Sequence, residues 1–173
     1  MLKVSYDLDN TLLDWSNHYI NRFGVPKTDA EITKNVRNVL KKDKHFWIEQ
    51  PVLRIPTIVH SYCTARIIPK QWIKEQLNIN GFPKAPIYQV PGYGISKYSR
   101  IRMSGADVHI DDSLSVFLDL NSKGVPCLLI DSPENKEWGP IGRIYSVDIN
   151  EIEETYYLFI KTIFKDFKDL CVR

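Results

Sequence analysis

Two carboxylates two positions apart, Asp7 and Asp9, stand inside the stretch Val4-Ser5-Tyr6-Asp7-Leu8-Asp9-Asn10-Thr11. Acids so placed can hold one divalent cation, or divide the work of a nucleophile and a general acid/base. The same residues would also make a plain polar turn, because acids gather in turns for local hydrogen-bonding reasons. Farther along, the β-type run Asp107-Val108-His109-Ile110 ends in a second acid pair, Asp111-Asp112. Between the two pairs lie a hydroxyl, Thr64, in the run Cys63-Thr64-Ala65-Arg66, and a lysine, Lys97, after Pro91-Gly92-Tyr93-Gly94. That glycine loop has neither P-loop nor dinucleotide spacing and reads as a turn that brings Lys97 forward. The candidate ligands are all hard oxygens, with no His/Cys cluster to favour zinc, so Mg2+ is the expected ion.

Groups this far apart in sequence can meet only if secondary structure gathers them. Leu2, Val4 and Tyr6 alternate with Lys3 and Ser5, a strand pattern closed by the turn residues Asp9-Asn10-Thr11. Trp15, Tyr19, Ile20 and Phe23 recur at helical spacing up to Gly24. Thr28 with Glu31 forms a capping box for a second helix striped by Ile32, Val36, Val39 and Leu40, with Lys41-Lys42 at its end. Residues 12–56 therefore read as a small helical insertion whose aromatics either pack inward or overhang the site. Strands are expected at 57–63, 87–90, 107–110 and 126–130, with an edge strand at 143–147. Helices intervene: one carrying Trp72, Ile73 and Leu77, one with Ile101 and Met103 on one side, and one capped by Ser113. A long amphipathic helix follows, begun by Asp148 and Glu151. Its apolar face runs Ile149, Ile152, Tyr156, Phe159, Ile163, Phe167 and Leu170, and Lys161, Lys165 and Lys168 gather towards its end. Strands alternating with helices predict an α/β fold, a Rossmann-like parallel sheet with helices on both faces. The carboxyl ends of its strands share one edge, and Asp7, Asp9, Thr64 and Asp111-Asp112 each fall at such an end.

Composition sets the outer bounds. A chain of 173 residues, 43% hydrophobic, can bury a full core as a single domain over 1–173 with the insertion at 12–56. Its net charge is +2, from 23 basic and 21 acidic residues, so charge does not indicate nucleic acid as a partner. Cys63, Cys127 and Cys171 lack metal-site spacing and are expected as reduced thiols of a soluble, cytoplasmic protein. No apolar run reaches the roughly 18 residues of a membrane span, and the opening residues read as a strand rather than a signal peptide. Oligomeric state is not legible.

The ordered set of Asp-x-Asp-x-Thr at the first strand, Thr-Ala-Arg at the second, then a lysine, then Asp-Asp resembles the haloacid-dehalogenase (HAD) superfamily of aspartate-nucleophile phosphotransferases, over residues 2–131. The resemblance implies that Asp7 takes the phosphoryl group. It makes Asp9 the general acid/base, which also offers its backbone carbonyl to the metal. Thr64, Lys97 and Asn10 would bind phosphoryl oxygens, and Asp111 and Asp112 would complete a magnesium site with Asp7 and Asp9. An acid two positions after the nucleophile marks the phosphatases of that superfamily. The helical insertion, Phe46-Trp47 before Pro51, and the Cys-Thr run look more narrowly like the 5'(3')-deoxyribonucleotidases and their phage and bacterial relatives. The chain departs from them where Leu53-Arg54-Ile55-Pro56 replaces the helix usually preceding the second strand, and at Arg66, where those enzymes vary.

The expected activity is hydrolysis of a phosphate monoester on a small phosphorylated substrate, with a nucleoside monophosphate first. A polynucleotide end, a phosphoprotein, or a non-catalytic binding module are the alternatives. Arg66 could grip a substrate phosphate or pair with an acid. Trp15, Trp47 and Tyr93 could stack a nucleobase or serve packing. His60 and His109, inside expected strands, read as core or lateral contacts rather than catalytic bases.

Overall fold

The computed structural model describes residues 1–162. Six parallel strands form one sheet: β1 (Val4–Tyr6), β2 (Ser61–Thr64), β3 (Ile87–Gln89), β4 (Val108–Asp111), β5 (Cys127–Ile130) and β6 (Arg143–Ile144). Their order across the sheet is β3-β2-β1-β4-β5-β6. The chain therefore steps outward from β1 to β3, then returns past β1 to begin again at β4. The reversal opens a crevice between β1 and β4 at the carboxyl edge, the place where doubly wound sheets put their sites. The fold is α/β and Rossmann-like, as the alternation of elements predicts.

The core follows from the strand sequences. Val4, Tyr6, Val108, Ile110 and the whole of Cys127–Ile130 are buried, as expected for parallel strands covered on both faces. The helices are α1 (Trp15–Phe23), α2 (Asp29–Asn38), α3 (Lys44–Ile48), α4 (Lys70–Ile79), α5 (Tyr98–Ser104), α6 (Leu114–Ser122) and α7 (Ile149–Thr162). Right-handed crossovers put α4 on one face and α5 and α6 on the other, because the direction of travel reverses after β3. Helix α3 packs beside α4, so the insertion carrying α1, α2 and α3 leans over the first of these faces.

The insertion leaves and rejoins the sheet at one point. Asp14 donates its N–H to the carbonyl of Pro51 at 2.8 Å, and Leu53 donates to that of Leu12 at 2.8 Å. Arg54 then bridges the carbonyls of Thr11 (3.0 Å) and Asp131 (3.1 Å), tying the loop after β1 to the loop after β5. The segment Leu53-Arg54-Ile55-Pro56 is thus a non-helical strap across the foot of the insertion.

Several local expectations change. The strand expected over 57–63 is β2, Ser61–Thr64, because its partner β1 is short: Ser5 faces Ser61, and the carbonyl of Val4 is taken by the N–H of His60. His60 therefore lies in the bend before the strand, with Nε2 2.8 Å from the carbonyl of Ser104. The second helix stops at Asn38, and a 3-10 turn, Leu40–Lys42, turns Leu40 into the core while Val39 stays 41% exposed. A short helix, α3, appears where none was expected. Asp43 caps it by accepting from the N–H of Phe46 at 3.1 Å. Ile101 and Met103 do not share a face: Ile101 is buried and Met103 is 65% exposed, since residues two apart on a helix point about 200° apart. The edge strand is Arg143–Ile144 rather than 143–147. Helix α7 buries Ile152 and Phe159, and Ile149 and Tyr156 pack partly buried against the core. Ile163, Lys165, Phe167, Lys168, Leu170 and Cys171 lie outside the described residues. No helix among the described residues is long and apolar enough to cross a membrane.

Candidate active site

Ladder pairing sets the foundation of the site. The N–H of Asp7 continues the β1–β4 ladder by donating to the carbonyl of Ile110 at 2.9 Å, which puts Asp7 next to Asp111. Leu8 then starts a tight turn whose carbonyl accepts from the N–H groups of both Leu12 and Leu13, each at 2.9 Å. Leu8, Leu12 and Leu13 are fully buried and anchor that turn. Asn10 sits at its apex with φ 58°, a left-handed conformation that asparagine tolerates better than most side chains.

Asp7, Asp111 and Asp112 each bring a carboxylate oxygen to within 4.8 Å of the others, and all are buried. The Nζ of Lys97 lies 2.7 Å from Oδ1 of Asp7 and 2.8 Å from Oδ2 of Asp111. The approach to Asp111 is a hydrogen bond; that to Asp7 is a charge contact without hydrogen-bond alignment, so Asp7 Oδ1 is buried with no aligned donor. Asp111 is held on every side. Its Oδ2 also faces His109 Nε2 at 3.0 Å, and its Oδ1 accepts from the N–H of Ser113 at 3.0 Å. Asp112 accepts from the hydroxyl of Thr11 at 3.0 Å, and its own N–H donates back to that hydroxyl at 3.1 Å.

These surroundings separate the carboxylates electrostatically. Burial raises the pKa of Asp7 to about 7. Lys97 opposes the rise, and the neighbouring Asp111 and Asp9 add to it. Burial also acts on Asp111, yet Lys97 and His109 together outweigh it and hold that group down at about 2. Burial and then the charge of Asp111 push Asp112 well above the usual carboxylate range. Lys97 is raised because the attraction of Asp111 and Asp7 exceeds its desolvation. Lys97 is shared between Asp7 and Asp111, and one ammonium leaves the three buried carboxylates short of positive charge. A hard divalent cation fits that deficit: the donors are all oxygen, they converge, and one buried oxygen has no aligned partner.

Asp9 points elsewhere. Its carboxylate accepts from Arg66 Nε (3.1 and 3.0 Å), from Arg66 Nη2 (2.6 Å) and from Gln50 Nε2 (3.0 Å). Arg66 is itself buried, donating to Gln76 Oε1 at 2.6 Å and to Gln50 Oε1 at 2.5 Å, and its guanidinium stands 4.9 Å from the ring centre of Trp47. Of the two roles open to Arg66, it takes the pairing with an acid. The carboxylate of Asp9 thus lies outside the three-acid cluster, and only its backbone could serve the ligand role expected for it.

Thr64 ends β2 fully buried, its hydroxyl accepting from the N–H of Arg66 at 3.4 Å. The amide of Asn10 is committed to the rim: Nδ2 donates to Ser16 Oγ at 2.8 Å and to Glu134 Oε2 at 3.2 Å, and Oδ1 accepts from the N–H of Ser16 at 2.9 Å. The three aromatics separate. Trp47 is buried, with Nε1 donating to the carbonyl of Leu40 at 2.8 Å, and Trp15 stacks on Tyr19 at 4.9 Å. Tyr93 is 94% exposed on the loop before Lys97.

No family model matches the chain, and no curated protein matches it.

Four residues support the site from behind: Thr11 and His109 brace Asp112 and Asp111, and Gln50 and Gln76 brace Arg66. His109 is the buried lateral contact expected of it, and Thr11 carries a signal as the last residue of Asp-x-Asp-x-Thr. The two glutamines escape a reading of the sequence and become partners only through the packing of α3 on α4. Farther out, Arg143 and Asn135 lock the loop after β5. Arg143 Nη1 reaches Asp131 Oδ1 at 2.5 Å, and Asn135 donates to the carbonyls of Asp112 and Ile130, each at 2.8 Å. Cys63 and Cys127 are free, buried thiols.

Proposed function

We propose that the chain is a magnesium-dependent phosphatase of the HAD type, hydrolysing the phosphate monoester of a small metabolite. The observation that carries this reading is the convergence of Asp7, Asp111 and Asp112 at the sheet's reversal point, with Lys97 between Asp7 and Asp111. A carboxylate attacks a dianionic phosphate poorly because like charges repel, so positive charge must be supplied at the oxygens. Asp7, Asp111 and Asp112 would hold Mg2+, which when bound supplies that charge and lowers the pKa of Asp7. Lys97 is placed to face a phosphoryl oxygen, and Thr64 stands at the adjoining strand end.

In this reading Asp7 forms a bond to phosphorus as the ester oxygen leaves with a proton from Asp9. Asp9 then takes a proton from water, whose oxygen attacks phosphorus and restores the Asp7 carboxylate. Arg66 and Gln50 hold the Asp9 carboxylate away from the three acids, so in this reading Asp9 must turn from Arg66 to exchange these protons. A nucleoside monophosphate is the first substrate to try, with the exposed ring of Tyr93 on the loop before Lys97 as the candidate base contact, since Trp15 and Trp47 are engaged in packing. The protein is placed in the cytoplasm in this reading, consistent with two unpaired buried thiols.

The test is phosphate release from deoxy- and ribonucleoside monophosphates, sugar phosphates and a 3'-phosphorylated oligonucleotide, with magnesium and with chelator. Turnover should require magnesium and vanish in Asp7→Asn with the circular dichroism spectrum unchanged. Full activity in Asp7→Asn, or after exhaustive chelation, would end the reading. Calorimetry of magnesium binding near pH 6.5 in buffers of different ionisation enthalpy should also show proton release, because burial raises Asp7 to about 7. Proton-neutral binding would remove Asp7 as a ligand.

A further inference from the structure

Among the described residues strand β3 ends the sheet, and its outer side meets no strand. Tyr62 donates its N–H to the carbonyl of Pro86 at 2.9 Å, and Val90 donates to that of Thr64 at 3.0 Å. In a parallel ladder backbone groups alternate in direction, so Ile87 and Gln89 turn their N–H and C=O groups outward. Along this edge runs a groove of about 540 Å³ between α4 and α5, lined by Lys70, Lys74, Tyr88, Gln89, Arg100 and Met103 among others.

Its charge is one-sided. Lys70 and Lys74 are exposed one turn apart on α4, and Arg100 stands across the groove on α5. Among the described residues none of these cations lies in an ion pair, whereas Lys44, Lys97 and Lys123 all do. The contact found for Arg100 is a weak one to the sulfur of Met103 at 3.9 Å. Exposed strand edges are ordinarily blocked by charge, proline or a covering element, since they invite pairing. Here Pro86 faces β2, and among the described residues no strand covers the outward groups of Ile87 and Gln89.

We propose that this groove receives an extended acidic segment of a partner protein, which pairs with β3 as a further edge strand. Strand addition lets the main chain supply affinity and alternate side chains supply specificity. Successive side chains of an added strand point to opposite faces. One set would meet Lys70 and Lys74, and the other Arg100 and the exposed Met103. Acids are therefore required towards α4, while an acid or a flexible apolar residue suits the α5 side. A nucleic acid would satisfy the three cations but not the outward amides of Ile87 and Gln89. The proposal does not depend on catalysis at the carboxyl edge.

The experiment uses the full chain and a fluorescein-labelled octapeptide alternating glutamate with valine. The same peptide N-methylated at alternate residues, its lysine counterpart, and a labelled ten-nucleotide thymidine strand are compared with it. Anisotropy should give micromolar-range binding of the acidic peptide at low salt, weakened about tenfold on raising the salt to about 0.3 M. The amide resonances of Ile87 and Gln89 should shift on titration. Lys70→Glu with Lys74→Glu should cost tenfold or more, and N-methylation should cost as much. Equal binding of the methylated peptide, or shifts confined to the lysines, would overturn strand addition. Preference for the oligonucleotide would replace the partner class, and no binding of the acidic peptide at low salt would end the proposal.

Discussion

Replacing Arg66 by methionine keeps an apolar stem against Trp47 but removes every donor that Arg66 gives to Asp9, Gln50 and Gln76. Removing one partner of a buried ion pair typically costs about 3–5 kcal/mol, because the other charge is left without compensation. Arg66 is the more deeply placed member: its side chain is 1% exposed and that of Asp9 is 23% exposed. Water can therefore reach Asp9 once the guanidinium is gone, which lowers the expected loss to about 2–3 kcal/mol. For a chain of this size that is a fall of roughly 5–10 °C in Tm. Urea denaturation of Arg66→Met, of Asp9→Asn and of the double variant would measure the pair directly, with a coupling of about 1 kcal/mol or more expected. Arg66→Lys should recover little, since one ammonium cannot span Asp9 and both glutamines as the planar fork does. A loss below about 0.5 kcal/mol for Arg66→Met, or additive single variants, would refute the view that this network joins the insertion to the sheet edge.

Two further outcomes follow from the same coordinates. Asp7 has its folded pKa raised to about 7, so its contribution to stability is present below the ordinary carboxylate value near 4 and is lost as pH rises towards about 7. Asp111, held at about 2, acts oppositely: its contribution is present above the ordinary value and lost as pH falls towards 2. Without divalent cation, Asp7→Asn should therefore be more stable than the parent by about 2–4 kcal/mol at pH 8, with the gap closing near pH 4; a gap independent of pH would contradict the buried, charge-poor placement of Asp7. Gly142 adopts φ +64°, and a Cβ there would lie 3.0 Å from Phe117 Cε2 and 3.2 Å from Phe159 Cε2. Gly142→Ala should cost about 2–3 kcal/mol by calorimetry, from backbone strain plus crowding of two core rings, and an unchanged Tm would show that those rings yield freely.

The sequence by itself determined the order of elements and the endpoints that matter for chemistry. Alternation in Leu2-Lys3-Val4-Ser5-Tyr6, the β-type run Val108-His109-Ile110 and the apolar run Cys127–Ile130 are local patterns, legible without knowing what they pack against. Strand-end acids at Asp7 and Asp111-Asp112 follow from them, because parallel topology gathers all carboxyl ends on one edge. What lay beyond reach was set by partners distant in the chain. Strand β2 is trimmed by the shortness of β1, and the second helix breaks so that Leu40 can reach the core. Nothing near Asp9 announces that its carboxylate turns to Arg66, a guanidinium fixed by Gln50 just after α3 and by Gln76 on α4. Nor does local sequence foretell that Asn10 spends its amide on Ser16 and Glu134, or that Tyr93 stays exposed while Trp15 and Trp47 pack. Side-chain direction at a site depends on which charges and donors the tertiary fold delivers within hydrogen-bonding range. A linear pattern can nominate the carboxylates; only the folded chain decides which face one another.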